Sequence, residues 1–177
     1  GVPIPEPSVP APRTNERAED LAGRIQALND EDDVRNLQHA YAGYVDRRMW
    51  SDVVDLFADN GTLTITGVGR FQGKAQIRQA LEQTMGPEGL AQFILNEHPI
   101  WDTIVEVKPN GKQAITRGME MAMLGNAERQ ASWQFSVFRN VAIKQDGLWK
   151  FKDVAITPLI TATWEEGWGH GGTGPKV

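Results

Sequence analysis

Apolar residues in the first third of the chain recur at helical spacing. Leu21, Ile25 and Leu28 predict a helix over 13–28. Asn29 or Asp30 is expected to cap a second helix, with Glu31, Asp32 and Asp33 at its positive end. That helix would carry Val34, Leu37, Tyr41, Tyr44 and Val45. "SDVVDLFA" (51–58) predicts another, with Ser51 as N-cap, and "ADNG" (58–61) a turn. "TLTITG" (62–67) alternates as a strand does. Residues 69–85 predict a short strand, a turn at Gly73 and a third helix, broken by "GPEG" (86–89). Beyond that the period shortens to two. Strands are expected near 92–107, 113–124, 130–144 and 148–157, with "KPNGK" and "QDG" as hairpin turns.

Helices followed by a long antiparallel meander predict an α+β fold. Long strands with helices on one face curl, and the curl leaves room for an internal apolar pocket. The expected layout is a Pro-rich arm at 1–12, one domain at 13–160 and a Gly/Trp-rich tail at 161–177. Five of the ten prolines lie in the arm, which is therefore expected to be extended.

One polar residue interrupts the helical stripe. Asp46 falls between Tyr44, Val45 and Met49, where burial is expected. His39 lies seven residues before it, within about 20° around the helix axis. Ala42 and Gly43 separate them, either as a wall that a ligand approaches or as a close-packing surface. His98, in "LNEHPIW", is a second candidate. Histidine titrates near neutrality, and a carboxylate beside it fixes the ring. Such a pair in an apolar cup can move a proton, worth roughly 10²–10⁴-fold in rate.

Composition narrows the field. Without cysteine there is no disulfide, thiolate zinc site or Cys nucleophile. Three separated histidines do not make a zinc pattern, so no metal is expected. A net charge of -5, with no basic run longer than Arg47–Arg48, argues against nucleic acid. No apolar run approaches the ~20 residues that span a bilayer, so no membrane role is expected. The chain opens on Gly1, as a processed or tagged product would, which leaves export open. No phosphate-binding loop or nucleophile elbow is present.

Four stretches carry a family resemblance. They are "YAGYVDRRMWSDVVDLFADNGTLTI", "GVGRFQGKAQIRQAL", "EHPIWDTIVEVKPNGKQAITRG" and "FRNVAIKQDGLWKFKDVAI". In this order, over roughly 31–156, the chain resembles the SnoaL-like branch of the NTF2-like superfamily. The resemblance implies a cone of curved sheet around helices, with a deep pocket and no cofactor. It implies that Asp46 faces the pocket and that His98 opens a strand pointing into it. Relatives include polyketide cyclases, scytalone dehydratase, ketosteroid isomerase and limonene epoxide hydrolase. The chain departs from the family at Pro99, and at Val154, where an Arg is common.

Further candidates follow. Tyr44 is preferred slightly over Tyr41 to polarise a substrate oxygen. Trp50 continues the Asp46 face and Trp101 follows His98. Ile115, Arg117, Met119, Met121 and Met123 share one face of a strand, so Arg117 is a rim residue or an anion clamp and Met119 an adaptable wall. Ser132, Gln134, Ser136, Phe138 and Asn140 share one face of the next strand, and the resemblance suggests that Asn140 binds ligand. Trp133, Phe135 and Val137 share the other face, through which relatives pair, so a homodimer or higher oligomer is expected. Trp164 and Trp168 cap the opening or meet a neighbour, and His170 is expected to be exposed. The leading expectation is a cofactor-independent lyase, dehydratase or isomerase acting on an aromatic or polycyclic small molecule, with Asp46, His98 and Tyr44 as catalytic residues. The alternative is a non-catalytic binding or assembly module. Epoxide hydrolysis ranks third, because Asp46 and Arg117 lack a second inward Asp.

Overall fold

The computed structural model describes residues 15–165 and Gly167. The expected Pro-rich arm, Trp168 and His170 lie outside the described residues.

The elements are α1 (Ala18–Asp46), α2 (Trp50–Asp55), β1 (Phe57–Ile65), β2 (Gly69–Gln72) and α3 (Lys74–Met85). They are followed by β3 (Leu95–Glu97), β4 (Ile100–Val107), β5 (Gln113–Gly125), β6 (Ala131–Gln145) and β7 (Leu148–Thr163). The sheet runs β2-β1-β7-β6-β5-β3, and β4 also pairs with β5. Among the described residues only the β1–β7 pairing is parallel. The helices cover the concave face, so the architecture is an α+β cone.

The second half of α1 buries Val34, Leu37, Gln38, Tyr41, Ala42 and Val45, the i, i+3, i+4 stripe of a helix lying on a sheet. Tyr41 meets Phe57 and Phe151 edge-on, with centroids 6.2 and 5.6 Å away. Such aromatic pairs add about 0.5–1.5 kcal/mol each beyond burial. Trp50 is fully buried and donates its indole N–H to the Gly86 carbonyl at 2.9 Å, tying α2 to the end of α3.

Several expectations are corrected. The two N-terminal helices are one. Asp30 does not cap a helix, because its carboxylate accepts bonds from Lys144 Nζ (2.6 Å) and Trp149 Nε1 (3.2 Å) instead of backbone N–H groups. Nor does Ser51 cap α2: its backbone N–H donates to Glu88 Oε1 at 2.9 Å, so the cap is supplied from the loop after α3. The "ADNG" turn is an irregular part of β1, where the register against β7 shifts between Phe57 and Thr62. The strand expected at 92–107 is broken at His98–Pro99 into β3 and β4, and β7 runs on to Thr163.

The faces of β5 are also inverted. Ala114, Thr116, Glu120 and Ala122 are buried under the helices, whereas Arg117 is exposed. Register explains this, because cross-strand partners share a face. Thr116 pairs with Asn140 and Glu120 with Ser136, both on the buried face of β6. The small residues of β5 make room for neighbours. A Cβ on Gly118 would lie 2.5 Å from the ring of Phe138.

Asp30 is the main polar anchor between α1 and the β6–β7 hairpin. Burial opposes its ionisation, but hydrogen bonds from Lys144 and Trp149 and the Lys144 charge outweigh that, and the carboxyl titrates below the ordinary 3.8. Asp30→Ala is expected to cost about 1–3 kcal/mol in urea unfolding at pH 7, chiefly from the unpaired Trp149 N–H. Lys144 keeps some access to water and softens the loss. A depressed folded pKa stabilises above the unfolded value, so the gap between wild type and variant should close as pH falls below 3.8.

Candidate active site

The C-terminal turn of α1 and the break between β3 and β4 face each other, and three consecutive residues join them. Asn96 is buried and donates its amide to the carbonyls of Val45 (2.9 Å) and Asp46 (3.3 Å). These carbonyls lie in the last turn of the helix, where the intrahelical ladder ends; that of Val45 also accepts from the Arg48 N–H at 3.0 Å. Glu97 forms an ion pair with Arg47 at 2.5 Å. His98 donates its backbone N–H to Asp46 Oδ1 at 2.7 Å, and its ring Nδ1 lies 3.0 Å from the same oxygen.

The break in the strand makes this possible. Pro99 has no N–H for a ladder, and its carbonyl accepts from Met121 N–H at 3.0 Å. The His98 N–H is thereby turned to the helix. Because a carboxylate only accepts, Nδ1 carries the proton in this pairing and Nε2 is left as the base of a neutral ring.

His98 is 5% exposed and lines a cavity of about 170 Å³ under the sheet. Tyr41, Val45, Ile65, Met85, Glu120, Leu124 and Ile156 form most of the remaining wall. A larger open space of about 580 Å³ adjoins it and shares Thr84, Met85 and Leu124. Arg48 borders this outer space, with a buried Nε that has no hydrogen-bond partner among the described residues.

Glu120 escaped the sequence reading, because the opposite face of β5 was taken as inward. The signal was the run of small residues Ala114, Gly118 and Ala122, which marks a strand face packed closely under other elements. Burial pushes the Glu120 carboxyl above its ordinary range; the His98 imidazole works against this, and the Asp46 charge adds to it. Burial likewise raises the Tyr41 phenol, and Glu120 reinforces it, so the hydroxyl stays protonated.

The other expected site residues fall into groups. Asp46 and His98 are brought together, and Tyr41 joins His98 in the cavity wall. Tyr44 is half-buried against the core and does not line the cavity. Trp50 is a core residue. Asn140 is buried but donates to Gln38 Oε1 at 2.7 Å and accepts from Ala155 N–H at 3.1 Å, a polar clasp beneath α1. Trp101, Arg117 and Met119 lie on the outer sheet face, because Trp101 pairs with Met119 and Arg117 with Arg139. Arg117 meets Glu106 there at 3.5 Å. His39 is exposed. Among the described residues, no three His, Asp or Glu side chains are placed to hold a metal ion.

A family model described as a SnoaL-like domain matches residues 26–155. No curated protein matches by sequence. Solved structures do match. A hexachlorocyclohexane dehydrochlorinase (LinA, type 2) aligns with a TM-score of 0.70 at 17% identity, over 79% of this chain and 92% of that one. A protein provisionally assigned as a scytalone dehydratase, from Novosphingobium aromaticivorans, aligns with a TM-score of 0.69 at 15% identity, over 87% and 98%. ActVI-ORFA from Streptomyces coelicolor aligns with a TM-score of 0.62 at 15% identity, over 75% and 97%. At these identities the likeness is one of fold.

A buried acid with a raised pKa holds more protons in the folded than in the unfolded state. Stability therefore falls as pH rises above the unfolded value of 4.5. Glu120→Gln removes that charge while keeping the shape. Its melting temperature is expected to exceed that of wild type at pH 7, with the difference vanishing below pH 4.5.

Proposed function

The chain belongs to the SnoaL-like domain family, and from that premise we propose a lyase or isomerase that moves protons on a small, largely apolar ring compound using its own side chains. Membership makes a fold that processes small molecules, and the finer chemistry rests on the site. One observation carries it: a buried imidazole, tethered twice to a single carboxylate oxygen, lines an apolar cavity.

His98 Nε2 is the base that takes a proton from an activated C–H. Asp46 keeps the ring in the productive tautomer and stabilises the imidazolium that forms. Tyr41, held protonated, donates to the oxygen on which negative charge develops. An apolar cavity of about 150 Å³ accommodates one benzene ring in other proteins, so the inner cup of about 170 Å³ suits the reacting ring alone. Further rings of a polycyclic substrate would extend past Thr84 and Met85 into the outer space. Members that only bind ligand would lack the exchange chemistry described next.

Incubation of a panel of cyclic ketones and phenols in D₂O, followed by NMR, tests the base. Wild type is expected to exchange a carbon-bound proton, and His98→Ala and Asp46→Asn to lose about 10²–10⁴-fold of that rate while remaining folded. Full exchange in both variants, or none in wild type across the panel, would leave the binding-module reading in its place.

Association through the outer sheet face belongs to the same reading. Trp101 is 43% exposed and Ile160 49% exposed there, and Met121, Trp133, Phe135 and Ile160 help line an apolar hollow of about 380 Å³. Light scattering is expected to return a multiple of the 19.6 kDa chain mass. A monomer at all concentrations would refute the pairing.

A further inference from the structure

We propose that Glu120 is the proton donor to a departing hydroxyl group, so that the site removes water from a ring compound bearing a hydroxyl β to a carbonyl. This rests on the reading of His98 as the base.

Three observations converge. Glu120 lines the same inner cavity as His98 and comes from the neighbouring strand at the break: Ile100 pairs with Glu120, and Met121 N–H bonds the Pro99 carbonyl. The residue is only 7% exposed, yet its carboxyl faces the cavity and makes no hydrogen bond to another described residue. An isolated buried carboxylate costs several kcal/mol, so such a group persists where a ligand partners it. Last, burial and then the nearby Asp46 charge favour the neutral carboxyl, with the His98 imidazole opposing them, while the protonated Tyr41 phenol adds no charge. A neutral carboxyl in an apolar cup is a hydrogen-bond donor, which neither Asp46 nor a neutral His98 facing the substrate with Nε2 can be.

The step balances with these groups alone. His98 Nε2 takes the proton from the carbon between carbonyl and carbinol. The C–H electron pair becomes the new C=C bond as the C–O bond breaks. The departing oxygen takes the Glu120 proton and leaves as water. The imidazolium and carboxylate that remain neutralise each other by one proton transfer across the cavity, which restores the starting state. A chloride leaving group departs as a stable anion and needs no such donor, so Glu120 separates two chemistries that share one base.

The test uses the full chain with two probes, 3-hydroxycyclohexanone and 3-chlorocyclohexanone, with uncatalysed loss subtracted. Deuterium exchange at C2 of the hydroxy probe is followed alongside. Wild type is expected to exchange C2 and to convert both probes to cyclohexenone. Glu120→Gln should keep C2 exchange and chloride loss within about threefold while losing water elimination by ~10²-fold or more. Glu120→Asp, which retains a carboxyl, should recover part of it. Unchanged water loss in Glu120→Gln would overturn the assignment. Equal loss on both probes would also overturn it, by making Glu120 a support of the base. Exchange without water loss in wild type would overturn the Glu120 step alone, and absence of exchange in wild type would bring down the base and the donor together.

Discussion

Everything at the candidate site depends on one carboxylate oxygen, Oδ1 of Asp46, accepting from both the backbone and the ring of His98. Two bonds from one residue to one atom leave the imidazole little rotational freedom. They require the end of α1 and the β3–β4 break to stay in register. Asn96 secures that by occupying the last helix carbonyls, and the Arg47–Glu97 pair closes the rim. The rim pair is half-exposed and worth at most about 1 kcal/mol. The buried Asn96 bonds matter more, since their loss would strand polar groups away from water.

The cavity sets a second constraint. It gathers His98, Glu120 and Tyr41 among largely apolar side chains, with Asp46 just behind the imidazole. A core selected for stability alone would place an apolar residue at 120. Keeping a carboxyl there trades folding free energy for a polar group beside His98, the pattern expected where a site takes precedence over packing. By contrast, the polar residues of the Asp30 and Gln38–Asn140 clusters have their partners within the protein. Glu120 differs from them in having no hydrogen-bond partner among the described residues.

The α+β order, the third helix, the hairpin turns and the buried stripe of α1 were legible in the residues. Each rests on local periodicity or turn chemistry, which needs no knowledge of distant partners. Asp46 stood out because a charge in an apolar stripe is a local anomaly, whereas the importance of His98, at the start of a strand after the third helix, was implied by the resemblance. Their meeting across 52 positions could be expected only from the resemblance. The inward face of β5 was misread because alternation fixes which residues share a face, not which face turns to the helices. Register with β6 decides that, and it moved Arg117 and Met119 out and Glu120 in.

The sequence by itself determined the order of helices and strands, the absence of thiol chemistry and a net negative charge, because these follow from residue type and short-range spacing. Only the tertiary structure decided that a strand breaks at Pro99, that the freed N–H turns to Asp46, and that Glu120 shares the cavity with His98. Those outcomes arise where long-range pairing and burial act together, and no window of neighbouring residues contains that information.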